Sequence, residues 1–204
     1  MTRRRAIFMD RDGTVCEEVG YVNHVDRIRL LPRSATAIRL ANEAGFQAVI
    51  VTNQAGVARG YFDEDLVHEV HDAVRRQLAE AGARVDGIYY CPHHPEVGSE
   101  AYRRVCDCRK PKAGMLLRAQ EEMGIDLGAS YMIGDTVKDL GAGRAVGATT
   151  VLVLTGYGRG ELQYQSHRWT LQPDQVCEDL LDAVQWILER EGRAFPSPSG
   201  AERS

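Results

Sequence analysis

The sequence has no long apolar run. Near its start, in MTRRRAIFMDRDG, the apolar segment is only Ala6 to Met9 before Asp10 ends it. Three arginines ahead of that segment imitate the opening of a secretion signal, but the run is too short for a signal core. Nothing approaches the roughly twenty residues of a membrane span. The chain therefore reads as a cytoplasmic protein. Cysteine is scarce and uneven: five in all, three of them inside CPHHPEVGSEAYRRVCDCRKPK. An odd number, clustered, argues against a secreted disulfide framework. Positive charge is not in excess either. The net charge is -4 and the pI about 5.9. A general binder of nucleic acid or of membrane surfaces carries a basic balance, so the expected partner is neither. No internal repeat is visible, and low complexity is confined to RAFPSPSGAERS at the end.

What remains is ordinary globular material. The 204 residues, 44% of them hydrophobic and 26% charged, can bury a core without covalent staples. One domain is expected over 1–191, followed by a Pro-, Ser- and Gly-rich tail, 192–204, expected to be disordered. Strand patterns fall at Arg5–Met9, Phe46–Val51, Ile88–Tyr90, Ser130–Ile133, Thr149–Leu154 and a short Trp169–Leu171. Helix patterns fall at Ser34–Ala44, Asp63–Ala81, Lys112–Met123, Thr136–Val146 and Asp174–Arg190. Alternation of the two, with several continuously apolar strands, predicts an α/β fold: a mostly parallel sheet covered by helices on both faces.

Open parallel sheets bind ligands at the carboxyl ends of their strands. Here those ends carry Asp10-Arg-Asp-Gly-Thr14, Thr52-Asn-Gln54, Cys91-Pro-His93, Gly134-Asp135 and Thr155-Gly156. Asp10 and Asp12 are two apart. Taken alone, they could simply close a strand and open a turn. Two carboxylates so close repel unless a cation lies between them or one holds a proton. A hard cation such as Mg2+ resolves that repulsion with oxygen ligands, and Asp135 can supply a further oxygen.

Asp10-Arg-Asp-Gly-Thr14 resembles the DxDGT signature of the haloacid dehalogenase (HAD) superfamily of phosphotransferases. Thr52 is similar to its second motif, Lys110 to its basic third motif, and Gly134-Asp135 with Asp139 to its acidic fourth. The resemblance runs over about 5–190 and implies a Rossmann-like HAD phosphatase. It makes Asp10 the nucleophile that forms an aspartyl-phosphate, and Asp12 the general acid and then base. It places Mg2+ among the Asp10 carboxylate, the Asp12 main-chain carbonyl and Asp135. Thr52 and Lys110 hold the phosphoryl oxygens as charge builds. For Asp139, loop orientation, support of the metal and helix capping all stay open.

The cysteine-rich stretch offers Cys91-x-His93 and Cys106-x-Cys108. Three sulfurs and one imidazole make a closed tetrahedral zinc set, which is structural rather than catalytic. Buried free thiols and disulfides are the competing readings; a reducing compartment favours zinc. A catalytic thiol has little support when Asp10 already serves as nucleophile. His93 fits the spacing better than His94. Cys16 and Cys177 lie outside the set and read as core or surface thiols. Arg109 and Lys110 directly follow Cys108, so a zinc loop over 91–108 would anchor both cations at the strand edge.

HAD phosphatases often carry a cap domain that selects substrate. Neither interval where caps insert is long enough here, so an open, capless site is expected. Its loops GYVNHVDRIRLLP, TNQAGVARGYFDE, GIYYCPHHP and CDCRKPKAGML are similar to those of the D-glycero-D-manno-heptose-1,7-bisphosphate phosphatases. That family removes the 7-phosphate and leaves heptose 1-phosphate, toward nucleotide-activated heptose for bacterial surface glycans. The resemblance implies substrate contacts at Glu18, Tyr21, Thr52, Asn53, Gln54, Ala55, Arg109 and Lys110. The Arg109 guanidinium suits the distal 1-phosphate, which it can hold with two bonds. Family members often have Lys directly after the fourth-motif Asp. This chain has Thr136 there and Lys138 two further on, which leaves the roles of Thr136, Lys138 and Asp139 open. Histidinol-phosphate phosphatases share the zinc cluster and Lys112 and are the alternative, although that substrate's amine would favour acids over Arg109. Phosphatases that repair nucleic-acid ends share the DxDGT core, but the acidic pI and the lack of a basic stripe with interleaved aromatics argue against them. The sugar's anomer and the oligomeric state are not legible; a single capless domain points to a monomer.

Overall fold

The computed structural model describes residues 4–193, and the expected tail from 194 onward lies outside them. Six strands form one sheet: β1 (Ala6–Met9), β2 (Gln47–Asn53), β3 (Gly87–Cys91), β4 (Tyr131–Gly134), β5 (Thr149–Val153) and β6 (Gln175–Cys177). Their order is β3-β2-β1-β4-β5-β6, and every pairing is parallel. Successive side chains on a strand face opposite sides. Ile7 and Met9 accordingly join one core, while Ala6 and Phe8 join the other. Both faces are buried, which is why these strands read as unbroken apolar runs.

Five helices cover the faces: α1 (Ser34–Glu43), α2 (Glu64–Glu80), α3 (Gly114–Met123), α4 (Val137–Arg144) and α5 (Leu180–Arg190). Apolar residues of α1, α2 and α5 build the first core. Those of α3 and α4 build the second, with Met115, Leu116, Ala119 and Ala142 packed on Phe8 and Met132. Asp63 starts α2 by accepting from the Leu66 amide at 3.0 Å, an ordinary N-cap.

The chain builds outward from β1 to β3, then crosses back to lay β4 on β1's other side. The order therefore reverses at β1. Met9 pairs with both Ile50 and Ile133, so Asp10 emerges in the crevice between two neighbouring strand ends. Between β1 and α1 the only regular element is a single 3-10 turn, and between β2 and β3 it is α2. The described residues contain no cap domain.

Some expected boundaries are wrong for identifiable reasons. Trp169–Leu171 is not a strand. The last strand is Gln175–Cys177, paired with Val151–Val153. Asp174 does not open the last helix: its carboxylate accepts from the Thr150 amide at 2.7 Å. Asp179 caps that helix instead, accepting from the Asp182 amide at 3.0 Å. Strands β2 and β3 run further than expected because pairing continues through Thr52↔Tyr90 and Asn53↔Cys91. Helix α3 starts at Gly114, not Lys112. The Lys112 amide closes a turn on the Arg109 carbonyl at 2.9 Å, and the Gly114 amide goes to the Asp107 carbonyl at 2.9 Å.

Candidate active site and metal centre

A cavity of about 290 Å3 opens at the carboxyl end of β1, β2 and β4. Asp10, Asp12, Glu18, Tyr21, Thr52, Asn53, Gln54, Ala55, Arg109, Lys110 and Asp135 all line it. Lys110 is the keystone. Its side chain is 2% exposed, and its ammonium lies 2.9 Å from Asp10 Oδ1 and 2.6 Å from Asp139 Oδ1. It also donates to the Val51 carbonyl at 2.8 Å. Two carboxylates and one carbonyl thus surround the ammonium. Burial disfavours the charge, but Asp10 and Asp139 more than offset it and lift the group above the usual lysine range. Asn53 clips this loop from below. Its Oδ1 accepts from the Lys110 amide at 3.0 Å and its Nδ2 donates to the Lys110 carbonyl at 3.2 Å. The Asn53 amide is thus largely spent on holding Lys110 rather than free for substrate.

Asp12 is held from the side. The Arg11 Nε donates to Asp12 Oδ1 at 3.0 Å and Nη2 donates to Oδ2 at 2.9 Å. Gln54 Nε2 donates to Asp12 Oδ2 and to Thr52 Oγ1, both at 2.8 Å. Asp12 Oδ1 keeps one lone pair free for a proton, and the Thr52 hydroxyl keeps its own hydrogen for an incoming oxygen. Arg11 is 1% exposed. A lone arginine inside DRDG reads as a surface residue; only its burial reveals the clamp.

Asp10, Asp135 and Asp139 bring carboxylate oxygens within 4.8 Å of one another. Burial, partly offset by Lys110, and repulsion from Asp139 and Asp12 push Asp10 up to about 7. Burial and repulsion from Asp10 and Asp139 push Asp135 up to about 8. A hard divalent cation relieves this crowding and accepts such oxygens. The residues fit it. Gly13 (φ +84°) and Gly156 (φ +53°) close over Asp135, and a Cβ on either would fall 2.2 Å from its Oδ2. The Tyr157 amide donates to that oxygen at 2.8 Å. Asp139 does double duty. Its Oδ2 accepts from the Thr136 amide and hydroxyl at 3.0 and 2.7 Å, a capping box on α4, while Oδ1 faces Lys110.

At the rim, Tyr21 stacks edge-on against Tyr61, ring centroids 4.8 Å apart. Tyr61 and Tyr157 were not singled out in the sequence, since an isolated aromatic in a loop carries no spacing signal.

Beside the cavity, Cys91, His93, Cys106 and Cys108 converge. The sulfurs lie 3.1, 3.3 and 3.5 Å apart, and His93 Nδ1 is 3.3 and 3.7 Å from Cys108 and Cys91. A tetrahedral zinc would set these edges at about 3.5 to 3.8 Å. The hydrogen bond from Cys91 pulls the Cys108 thiol down to about 5 and in return pushes the Cys91 thiol up, so without a cation the pair shares one proton. His94 is turned elsewhere, accepting at Nδ1 from the Glu96 amide at 3.1 Å. The cluster could hold a metal ion. Cys16 and Cys177 are buried away from it.

Known proteins match this architecture. A HAD-hydrolase-like family model matches residues 107–183. The D-glycero-beta-D-manno-heptose-1,7-bisphosphate 7-phosphatase of Pasteurella multocida is 47% identical over 154 residues, 75% of this chain and 83% of that protein. The chain belongs to the heptose-1,7-bisphosphate 7-phosphatase family. The family's member from Escherichia coli K12 is 46% identical over 152 residues, 74% of this chain and 80% of that one. The D,D-heptose 1,7-bisphosphate phosphatase of B. bronchiseptica, solved with magnesium and phosphate, superposes with a TM-score of 0.80 at 36% identity, covering 91% of this chain and 99% of its own. This member of the heptose-bisphosphate phosphatase family has a HAD-like hydrolase fold and is a phosphatase. No helix among its described residues is long and apolar enough to cross a membrane.

Proposed function

We propose that the chain hydrolyses the 7-phosphate of D-glycero-beta-D-manno-heptose 1,7-bisphosphate and releases heptose 1-phosphate. The observation that carries this reading is the meeting of Asp10, Thr52, Lys110 and Asp135 in one open cavity with Arg109 at its wall. Family membership supports the heptose substrate and the beta anomer.

An Asp10 oxygen attacks phosphorus, and the bond from phosphorus to the sugar oxygen breaks as Asp12 delivers a proton to that oxygen. Asp12 then takes a proton from water as the water oxygen attacks phosphorus; the bond from Asp10 to phosphorus breaks, which frees inorganic phosphate and restores the Asp10 carboxylate. The Thr52 hydroxyl and the Lys110 ammonium stabilise the phosphoryl oxygens throughout. Asp10, Asp135 and the Asp12 main-chain carbonyl would hold Mg2+. When bound, it supplies positive charge against the phosphate. Cys91, His93, Cys106 and Cys108 would hold a structural zinc that keeps Arg109 and Lys110 in register. Glu18, Tyr21, Gln54 and Ala55 contact the sugar, and Arg109 takes the 1-phosphate. The enzyme works in the cytoplasm as a monomer of one domain over 1–191, with no nucleic-acid partner.

The test is phosphate release by zinc-loaded protein with Mg2+, with Asp10→Asn as blank. Substrates are both anomers of heptose 1,7-bisphosphate, fructose 1,6-bisphosphate and histidinol phosphate. The expected result is a clear preference for the beta heptose anomer. A preference for histidinol phosphate would keep the nucleophile and overturn the substrate.

A further inference from the structure

We propose that Lys138 is a specificity-determining residue of this site, pairing with Arg109 to hold the phosphate that is not transferred. The proposal rests on the bisphosphate reading above. A bisphosphate brings two anions into one cavity. The cations that line it, among the described residues, are Arg109, Lys110 and Lys138, against the acids Asp10, Asp12, Glu18, Asp135 and Asp139. The opening is therefore acidic, and a second phosphate needs cations that are not already committed.

Lys110 cannot serve. It is buried between Asp10 and Asp139 and donates to the Val51 carbonyl, so it faces the phosphoryl group being transferred at Asp10 rather than a second phosphate at the mouth. Arg109 spends one donor on the His93 carbonyl at 3.2 Å, which leaves most of its guanidinium free. Lys138 is exposed and, among the described residues, makes no hydrogen bond or ion pair. The nearby acids are engaged elsewhere: Asp139 with Lys110 and Thr136, and Asp135 with the Tyr157 amide. A surface lysine is ordinarily just solvated. This one lines an acidic cavity without closing on any acid, which leaves its charge available to a mobile anion.

The fold explains why the two cations share an opening. Arg109 precedes Lys110, and Lys138 precedes Asp139. The buried contact of 2.6 Å between Lys110 and Asp139 pins the two backbones together, so their neighbours flank the same mouth. Thr136 does not compete for the role, because its hydroxyl is bound within the α4 capping box.

The experiment compares kcat and KM for heptose 1,7-bisphosphate and heptose 7-phosphate, which differ only in the 1-phosphate. It uses the full chain loaded with zinc and Mg2+, as wild type, Lys138→Ala, Lys138→Arg, Arg109→Ala and the double alanine variant. Charge-assisted contacts of this kind change binding about 10- to 100-fold. Lys138→Ala is expected to cost about tenfold more in kcat/KM on the bisphosphate than on the monophosphate, mainly through KM. Lys138→Arg restores most of it. The double variant loses less than the product of the single losses, because both cations hold one phosphate. Equal losses on the two substrates, or no loss on either, would overturn the proposal while leaving the heptose reading intact. A wild type that does not distinguish the two substrates would overturn the bisphosphate reading beneath it.

Discussion

Withdrawing Mg2+ should make stability depend on pH with a definite sign. Asp10 is raised to about 7 and Asp135 to about 8, from 3.8. Between pH 4 and about 7, the folded protein holds protons that the unfolded chain has released. Folding then takes up protons, so these acids contribute less stability as pH rises through that window. Each costs up to about 1.4 kcal/mol per pH unit. For Asp10 alone the full excursion is about 4 kcal/mol, a sizeable share of a typical 5 to 15 kcal/mol. His71 opposes this trend. Burial, then the field of Arg11, holds it down to about 3, so its contribution grows with pH up to about 6.5 and is constant above. The net slope is therefore damped below pH 6.5 and steepest just above it. Millimolar Mg2+ binds the ionised carboxylates and should cancel the loss. The assay is urea unfolding of zinc-loaded protein, dialysed free of Mg2+ rather than treated with a chelator that would also take zinc. It runs from pH 5.5 to 8.5, with and without Mg2+. His71 contributes equally to both curves, so their difference isolates the acids. The gap should grow with pH to several kcal/mol. A gap that stays constant or shrinks as pH rises would refute the reasoning, and Asp10→Asn combined with Asp135→Asn should abolish its growth.

Other outcomes follow from particular contacts. Gly13→Ala places a methyl 2.2 Å from Asp135 Oδ2 at φ +84° and should destabilise by about 1 to 3 kcal/mol; Mg2+ titration should show weaker binding, and unchanged affinity would count against Asp135 as a ligand. Cys106→Ser should lower bound zinc, measured by metal analysis, and raise amide exchange across 91–112, with activity falling in step; full activity without zinc would separate the cluster from the placement of Lys110. Tyr61→Ala removes the edge contact on Tyr21, worth about 1 kcal/mol, and should raise KM severalfold with Tyr61→Phe restoring it; equal KM values would mean that Tyr21 needs no support.

Much of the site was legible because its chemistry is local. Asp10, Asp12, Thr52 and Asp135 sit at or just after apolar runs, and a parallel sheet sends such residues to one edge whatever the helices between them do. The convergence of Cys91, His93, Cys106 and Cys108 was legible by residue type and spacing. The last strand was not. Gln175–Cys177 is short and falls inside the expected helix Asp174–Arg190; only its pairing with β5 makes it a strand.

The sequence by itself determined the α/β class, the sheet edge at which the acids gather and the residue types at each strand end, because these depend on periodicity and on neighbours along the chain. Only the tertiary structure decided how those residues are spent. It buries Arg11 against Asp12, commits the Asn53 amide to the Lys110 loop, divides Asp139 between a helix cap and an ion pair, and sets Lys138 in the cavity lining with no partner among the described residues. Each of these depends on which distant group happens to lie within about 3 Å, a distance set by packing rather than by sequence spacing.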